Sequence, residues 1–126
     1  MPIVNGHLKE YYKSGALEWD ITLNNDKKRQ GRAQCFYENG QVKIERAYVN
    51  GKIHGTERMF YPDGQIWMSI DFNMGKKQGY YYSWFKNGRL EIEACYVDDR
   101  KHGPFKRWDE AGRLIFDERF EKDIRA

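Results

Sequence analysis

Apolar residues recur along this chain at alternate positions, in runs of strand length. Leu17 and Trp19 are separated by one residue, and so are Val42 and Ile44, Ile66 and Met68, Leu90 and Ile92, and Leu114 and Phe116. Four residues beyond each pair stands another large apolar residue: Leu23, Tyr48, Phe72, Tyr96 and Phe120. A period of 2 is the mark of a strand with one buried face. An aromatic column precedes each run, Tyr11, Phe36, Phe60, Trp84 and Trp108, followed by Tyr12, Tyr37, Tyr61, Phe85 and, breaking the column, Asp109.

Glycine punctuates these runs on a fixed frame. Gly6, Gly31, Gly55, Gly79 and Gly103 open successive units 25, 24, 24 and 24 residues apart, and Gly15, Gly40, Gly64, Gly88 and Gly112 each follow nine residues later. Gly51 and Gly75 complete the set of twelve. Self-similarity at such a period signals a repeat array. Glu38-Asn39-Gly40, Pro62-Asp63-Gly64 and Lys86-Asn87-Gly88 read as hairpin turns, and Asn50-Gly51 and Met74-Gly75 as the links between hairpins. The expected fold is all-β: an elongated, single-sheet antiparallel meander of about ten strands, built from five 24-residue hairpins as one repeat domain, residues 1–126. The units run 6–30, 31–54, 55–78, 79–102 and 103–126.

Composition adds shape and environment. The chain is 16% aromatic with a mean hydropathy of −0.95, which fits a thin sheet with a large exposed surface stabilised by contacts between neighbouring repeats. Its 22 basic and 19 acidic residues are interspersed, giving +3. No basic stripe is legible, so no nucleic-acid partner is expected. Lys27-Lys28-Arg29 is the single basic run and reads as a solvated loop. Cys35 and Cys95 lie two repeats apart, too far for a disulfide. Free thiols and an N-terminus, Met1 to Asn5, without an apolar leader core point to the cytoplasm.

Candidate chemistry is sparse. His54 and His102 fill the same slot before an opening glycine and read as turn residues; His7 is isolated. No ligand spacing for zinc and no phosphate loop is present, so neither catalytic residues nor a cofactor or metal site are expected. A column of carboxylates, Asp20, Glu45, Glu93 and Asp117 with Ser69 in its third place, is expected to point away from the apolar column, with Lys9, Arg58 and Lys106 facing it. A solvated cross-strand charge ladder and a recognition stripe are both open for it. The slot holding Glu18, Lys43, Trp67, Glu91 and Ile115 is expected on that same outward face, where Trp67 and Ile115 are out of character. Tyr80, Tyr81 and Tyr82 likewise stand where other units carry His7-Leu8-Lys9, Arg32-Ala33-Gln34 or Thr56-Glu57-Arg58. Exposed aromatic and apolar residues of this kind are candidate partner contacts; packing between repeats is the alternative.

Residues 48–64, running from Tyr48 through Gly51-Lys52-Ile53-His54-Gly55 to Tyr61-Pro62-Asp63-Gly64, resemble a MORN repeat (membrane occupation and recognition nexus). Residues 72–88 and 96–112 repeat the pattern. The typical unit has a second glycine two residues after the opener, whereas this chain has Leu8, Ala33, Glu57, Tyr81 and Phe105. In that it is similar to the MORN-variant repeats of bacterial proteins, many of them antitoxin-like components of toxin–antitoxin or toxin–immunity systems. The resemblance implies a grooved β-sheet that binds a protein, with a toxin as one partner class. A scaffold or membrane-peripheral module, self-associating through its edge strands, is the alternative it implies; no basic or amphipathic anchor for a membrane is legible.

Overall fold

The computed structural model describes residues 3–4 and 6–125; Met1, Pro2 and Asn5 of the N-terminal stretch read above, and Ala126, lie outside them. The strands are β1 Ile3–Val4, β2 His7–Tyr11, β3 Leu17–Leu23, β4 Arg29–Phe36, β5 Val42–Val49, β6 Lys52–Ile53, β7 Gly55–Phe60, β8 Ile66–Asn73, β9 Lys76–Trp84, β10 Leu90–Val97, β11 Arg100–Trp108, β12 Leu114–Glu121 and β13 Ile124–Arg125. They form one antiparallel sheet in chain order, except that the short β6 pairs only with β5, beside β7. The all-β, single-sheet hairpin meander expected from the sequence is what the structure has.

Two kinds of turn alternate, one on each long edge of the sheet. Within a hairpin the chain makes a type I turn closed by a glycine in the left-handed region: Gly40 N–H donates to Tyr37 O at 2.9 Å, and Tyr37 N–H to Gln41 O at 2.8 Å. Between hairpins two consecutive residues take positive φ, as in Asn50 (48°) and Gly51 (82°), the signature of a type I′ turn. Asp98 (50°) and Asp99 (68°) do the same without glycine. Asp99 is held there because its Oδ1 accepts from Lys77 N–H at 2.7 Å. The single extra residue of the first unit lies in the longer loop Asn24 to Lys28.

Each hairpin also carries a β-bulge at a fixed place. Cys35 pairs with Ile44 but Phe36 with Val42, so Lys43 has no partner. The same step leaves Glu18, Trp67, Glu91 and Ile115 unpaired in the other hairpins. This corrects the expected face of that slot. An extra residue places itself on the side of its C-terminal neighbour, and the contacts agree: Ser83 Oγ, buried in the apolar row, donates to Glu91 Oε1 at 3.3 Å. Lys43 Nζ lies over the Tyr37 ring at 5.4 Å, and Trp67 lies beside Tyr61 at 5.9 Å. The slot therefore belongs to the apolar face, not to the acidic one. The bulge also separates two columns that period 2 placed together: Leu17 pairs with Tyr11 on one face and Trp19 with Glu10 on the other.

The buried residues all lie on one face. Its middle row runs through Leu8, Ile21, Ala33, Arg46, Glu57, Ile70, Tyr81, Ala94, Phe105 and Glu118, paired strand by strand on either side of the junction of β5 with β7. Five of these, Leu8, Ala33, Glu57, Tyr81 and Phe105, fill the slot where the typical unit has its second glycine. Side chains there close the centre of the face: Ala33, Ala94, Ile21, Ile70 and Glu57 are all buried. Successive units are tied by a tyrosine ladder, in which Tyr12, Tyr37 and Tyr61 donate to Phe36 O, Phe60 O and Trp84 O at 2.6, 2.7 and 2.6 Å. Phe85 has no hydroxyl, and at Asp109 the carboxylate instead accepts from Ala111 and Arg113 N–H, which with the Arg113 side chain holds its pKa low. The accessible surface of 8035 Å² exceeds the roughly 7,100 Å² of a globular chain of this mass, as a single sheet must.

Candidate functional site

The opposite face carries the charges. One continuous row across it reads Lys9, Asp20, Gln34, Glu45, Arg58, Ser69, Tyr82, Glu93, Lys106 and Asp117. Lys9 thus pairs in register with Asp20, Arg58 with Glu45, and Lys106 with both Glu93 and Asp117. Side chains have found other partners, however. Asp20 Oδ1 contacts His7 Nδ1 at 2.8 Å, and Glu45 Oε1 contacts Arg32 Nη2 at 3.2 Å and Gln34 Nε2 at 3.3 Å. Glu93 and Asp117 make no ion pair among the described residues.

Tyr82 sits in this row next to Glu93, and it is the middle of an aromatic stripe. Residues two apart on a strand share a face, so Tyr80, Tyr82 and Trp84 of β9 line up there. The Tyr80 and Tyr82 rings stack with centroids 5.7 Å apart, and Tyr82 and Trp84 follow at 5.9 Å. Tyr80 is 54% exposed. Partial burial, with the Glu93 carboxylate beside it, raises the Tyr82 pKa, so its hydroxyl is a neutral donor at physiological pH. The local backbone is fixed by Asp71, whose Oδ2 accepts from Tyr80 N–H at 3.1 Å while Oδ1 accepts from Thr56 Oγ1 at 2.8 Å. A Cβ on Gly79 (φ +116°) would stand 2.8 Å from that Oδ2, so only glycine lets the carboxylate close on the strand.

The remaining candidates lie on the other face. Tyr81 packs against Tyr96 at 5.9 Å beneath Lys77, and burial raises its pKa. Trp67 is 40% and Ile115 58% exposed, both at bulges. The sequence-derived set therefore divides: Tyr80, Tyr82 and Glu93 converge on the charged face, Asp20, Glu45 and Asp117 continue their row at a distance, and Tyr81, Trp67 and Ile115 are turned away. Trp84, which the sequence analysis placed in the aromatic column and not among the candidate contacts, joins the stripe. Its place two residues after Tyr82 on one strand was the signal that could have found it.

Other reactive groups have structural partners. His54 Nδ1 accepts from Met74 N–H in the next repeat at 3.1 Å. Cys35 and Cys95 are free thiols, on opposite faces, and burial pushes both thiol pKa values up. Among the described residues no three His, Cys, Asp or Glu side chains are placed to hold a metal ion.

The turns between hairpins assemble something the linear sequence hides. Lys28, Lys52, Lys76 and Arg100 stand one repeat apart at the same edge, each exposed. Four basic residues 24 positions apart in the sequence are thus brought into one row.

Comparison with known proteins agrees with this architecture. The model of the MORN repeat variant family matches residues 29–50, 53–74 and 77–98, three segments of 22 residues each, 66 of the 126. No curated protein matches the chain. Each matched segment spans one complete hairpin with its bulge, and the family marks a repeat-containing binding or scaffold module. With more than half of its length matched in tandem, the chain belongs to the MORN repeat variant family.

Proposed function

We propose that this chain is a non-enzymatic protein-binding module whose contact surface is the charged face, centred on Tyr80, Tyr82 and Trp84. The observation that carries this reading is the stacked, outward stripe itself. Among the described residues no side-chain hydrogen bond ties its rings to a neighbouring repeat, in contrast to the Tyr12, Tyr37 and Tyr61 ladder, and Tyr80 leaves more than half of its surface in solvent. Tyr and Trp supply large contact area at low entropic cost, and they concentrate in the energetically dominant part of interfaces. Glu93 beside Tyr82 gives the patch an unpaired carboxylate with which to select a basic group on the partner.

The finer reading is an antitoxin or immunity protein that covers the active surface of a cognate toxin in the cytoplasm. It rests on the bacterial-type repeat unit, with Leu8, Ala33, Glu57, Tyr81 and Phe105 in place of the second glycine. Affinity purification from the native cell should recover one stoichiometric partner with the wild-type chain. It should lose that partner with Tyr80→Ala, which leaves thermal unfolding unchanged. Recovery of nothing, or equal recovery by the variant, would overturn the proposal. For the finer reading, co-expression should abolish a growth defect caused by the partner alone; a partner that is not toxic contradicts it.

A further inference from the structure

The edge of the sheet formed by the turns between hairpins carries a line of cations with a definite pitch. Lys52, Lys76 and Arg100 occupy equivalent pairing positions, in register with Val49, Asn73 and Val97, and Lys28 ends the longer loop, where its O accepts from Asn24 N–H. Among the described residues none of the four lies within ion-pair distance of a carboxylate. Of the nearby acids, Asp99 and Asp123 spend an oxygen each on the N–H groups of Lys77 and Lys101, both at 2.7 Å, and Asp98 stands beside Lys76 and Arg100. Lys52 lays its aliphatic stem beside Gly75 of the following turn, which carries its charge along the edge.

Apolar residues are exposed among these cations. Met74 is 37% and Val97 40% exposed, and a cleft of about 360 Å³ lies between Lys76, Val97, Asp98, Arg100 and Lys122. Two strands per repeat, each about 4.8 Å from the next, space the cations by about 9.6 Å. An α-helix with an acidic residue at every seventh position presents one carboxylate per about 10.5 Å on a single face. The mismatch is about 1 Å per repeat and under about 3 Å over the whole line, within the swing of a lysine side chain. An extended strand repeats its face every ~6.8 Å and falls out of step. Nucleic-acid phosphates come about every 3.4 Å per strand along a duplex, and a phosphate backbone has no apolar surface to cover Met74 and Val97.

From this match we infer that the edge binds an acidic amphipathic helix of a protein partner, laid across the repeats with its carboxylates on Lys28, Lys52, Lys76 and Arg100 and its apolar residues on Met74 and Val97. This surface is separate from the aromatic stripe, and neither proposal depends on the other.

The test uses the full chain and a synthetic four-heptad helix with Glu at one heptad position and Leu beside it, followed by fluorescence anisotropy. Micromolar binding is expected, weakening steeply with salt. The variant with Lys28, Lys52, Lys76 and Arg100 all changed to Glu should bind about 100-fold more weakly at an unchanged Tm. A helix of the same composition with its Glu residues out of heptad register should bind at least 10-fold more weakly than the matched one. Equal binding of both helices would reduce the edge to unspecific charge attraction and overturn the inference. So would retention of binding by the charge-reversed variant. Failure of the helix to bind while the protein co-sediments with anionic phospholipid vesicles or shifts single-stranded RNA would assign the edge to those surfaces instead.

Discussion

Single residues in this chain are best understood by what the equivalent residue does one repeat away. Tyr61 donates to Trp84 O at 2.6 Å, and Phe85 occupies the next rung without a hydroxyl. Phe85→Tyr should therefore add the missing bond, to Trp108 O, and stabilise the chain by about 1 kcal/mol, read as a rise in Tm. Met74 takes φ 47° where the preceding turn has Asn50 at 48°. Asn tolerates the left-handed region better than Met, so Met74→Asn should also raise Tm, by the equivalent of about 0.5–1 kcal/mol. At Trp67 the direction reverses. Its ring packs beside Tyr61 at 5.9 Å, and Trp67→Ala should lower stability by about 1 kcal/mol while leaving partner binding on the charged face intact. A chemical denaturation series on the three variants checks all of these together.

Among the strands, one pair departs from the apolar middle row. Arg46 of β5 and Glu57 of β7 meet with Nε and Oε2 2.7 Å apart, and the Glu57 side chain is 5% exposed. The Nε–H does not align with the carboxylate, so this is a close ion pair without a directed hydrogen bond, while Arg46 Nη1 donates to the Tyr48 hydroxyl at 3.1 Å. Its guanidinium also lies over the Trp19 ring at 5.4 Å. Removing one partner strands a buried charge: Arg46→Leu alone should cost about 3–5 kcal/mol, whereas Arg46→Leu with Glu57→Leu should recover most of it.

Burial raises the Glu57 pKa despite the pull of Arg46. A carboxyl whose folded pKa lies above its unfolded value contributes most stability in acid, and that contribution is lost as pH rises through the folded pKa. The stability of the wild type relative to Glu57→Gln should therefore fall between acid and neutral pH; a flat or rising difference contradicts the burial argument. The strand elements themselves were legible in the alternation of Val42, Ile44 and Tyr48 and their equivalents. The faces were not, because the bulge at Lys43, Trp67 and their equivalents adds a residue without changing the apolar spacing of the strand. Period 2 cannot register an inserted residue that stays on the buried side.

For the whole molecule, the glycine frame made the repeat, the single sheet and the order of strands readable in advance. What it could not show was convergence across repeats. Lys28, Lys52, Lys76 and Arg100 look interspersed because 24 residues separate neighbours, yet two strands bring them within about 10 Å. Tyr80, Tyr81 and Tyr82 look like one cluster, yet a strand sends the middle one to the opposite face. The candidate site was thus half legible: Tyr80 and Tyr82 were found and Trp84 was not, and the division of the tyrosines between two surfaces came only with the register.

That division is the core of the functional reading, and one titration addresses it. With the purified partner in the calorimeter, Tyr80→Ala should weaken binding about 10- to 100-fold, as loss of an aromatic anchor does, while Trp67→Ala leaves Kd unchanged. The opposite result, with Trp67→Ala abolishing binding and Tyr80→Ala silent, would place the partner on the apolar face and contradict the account.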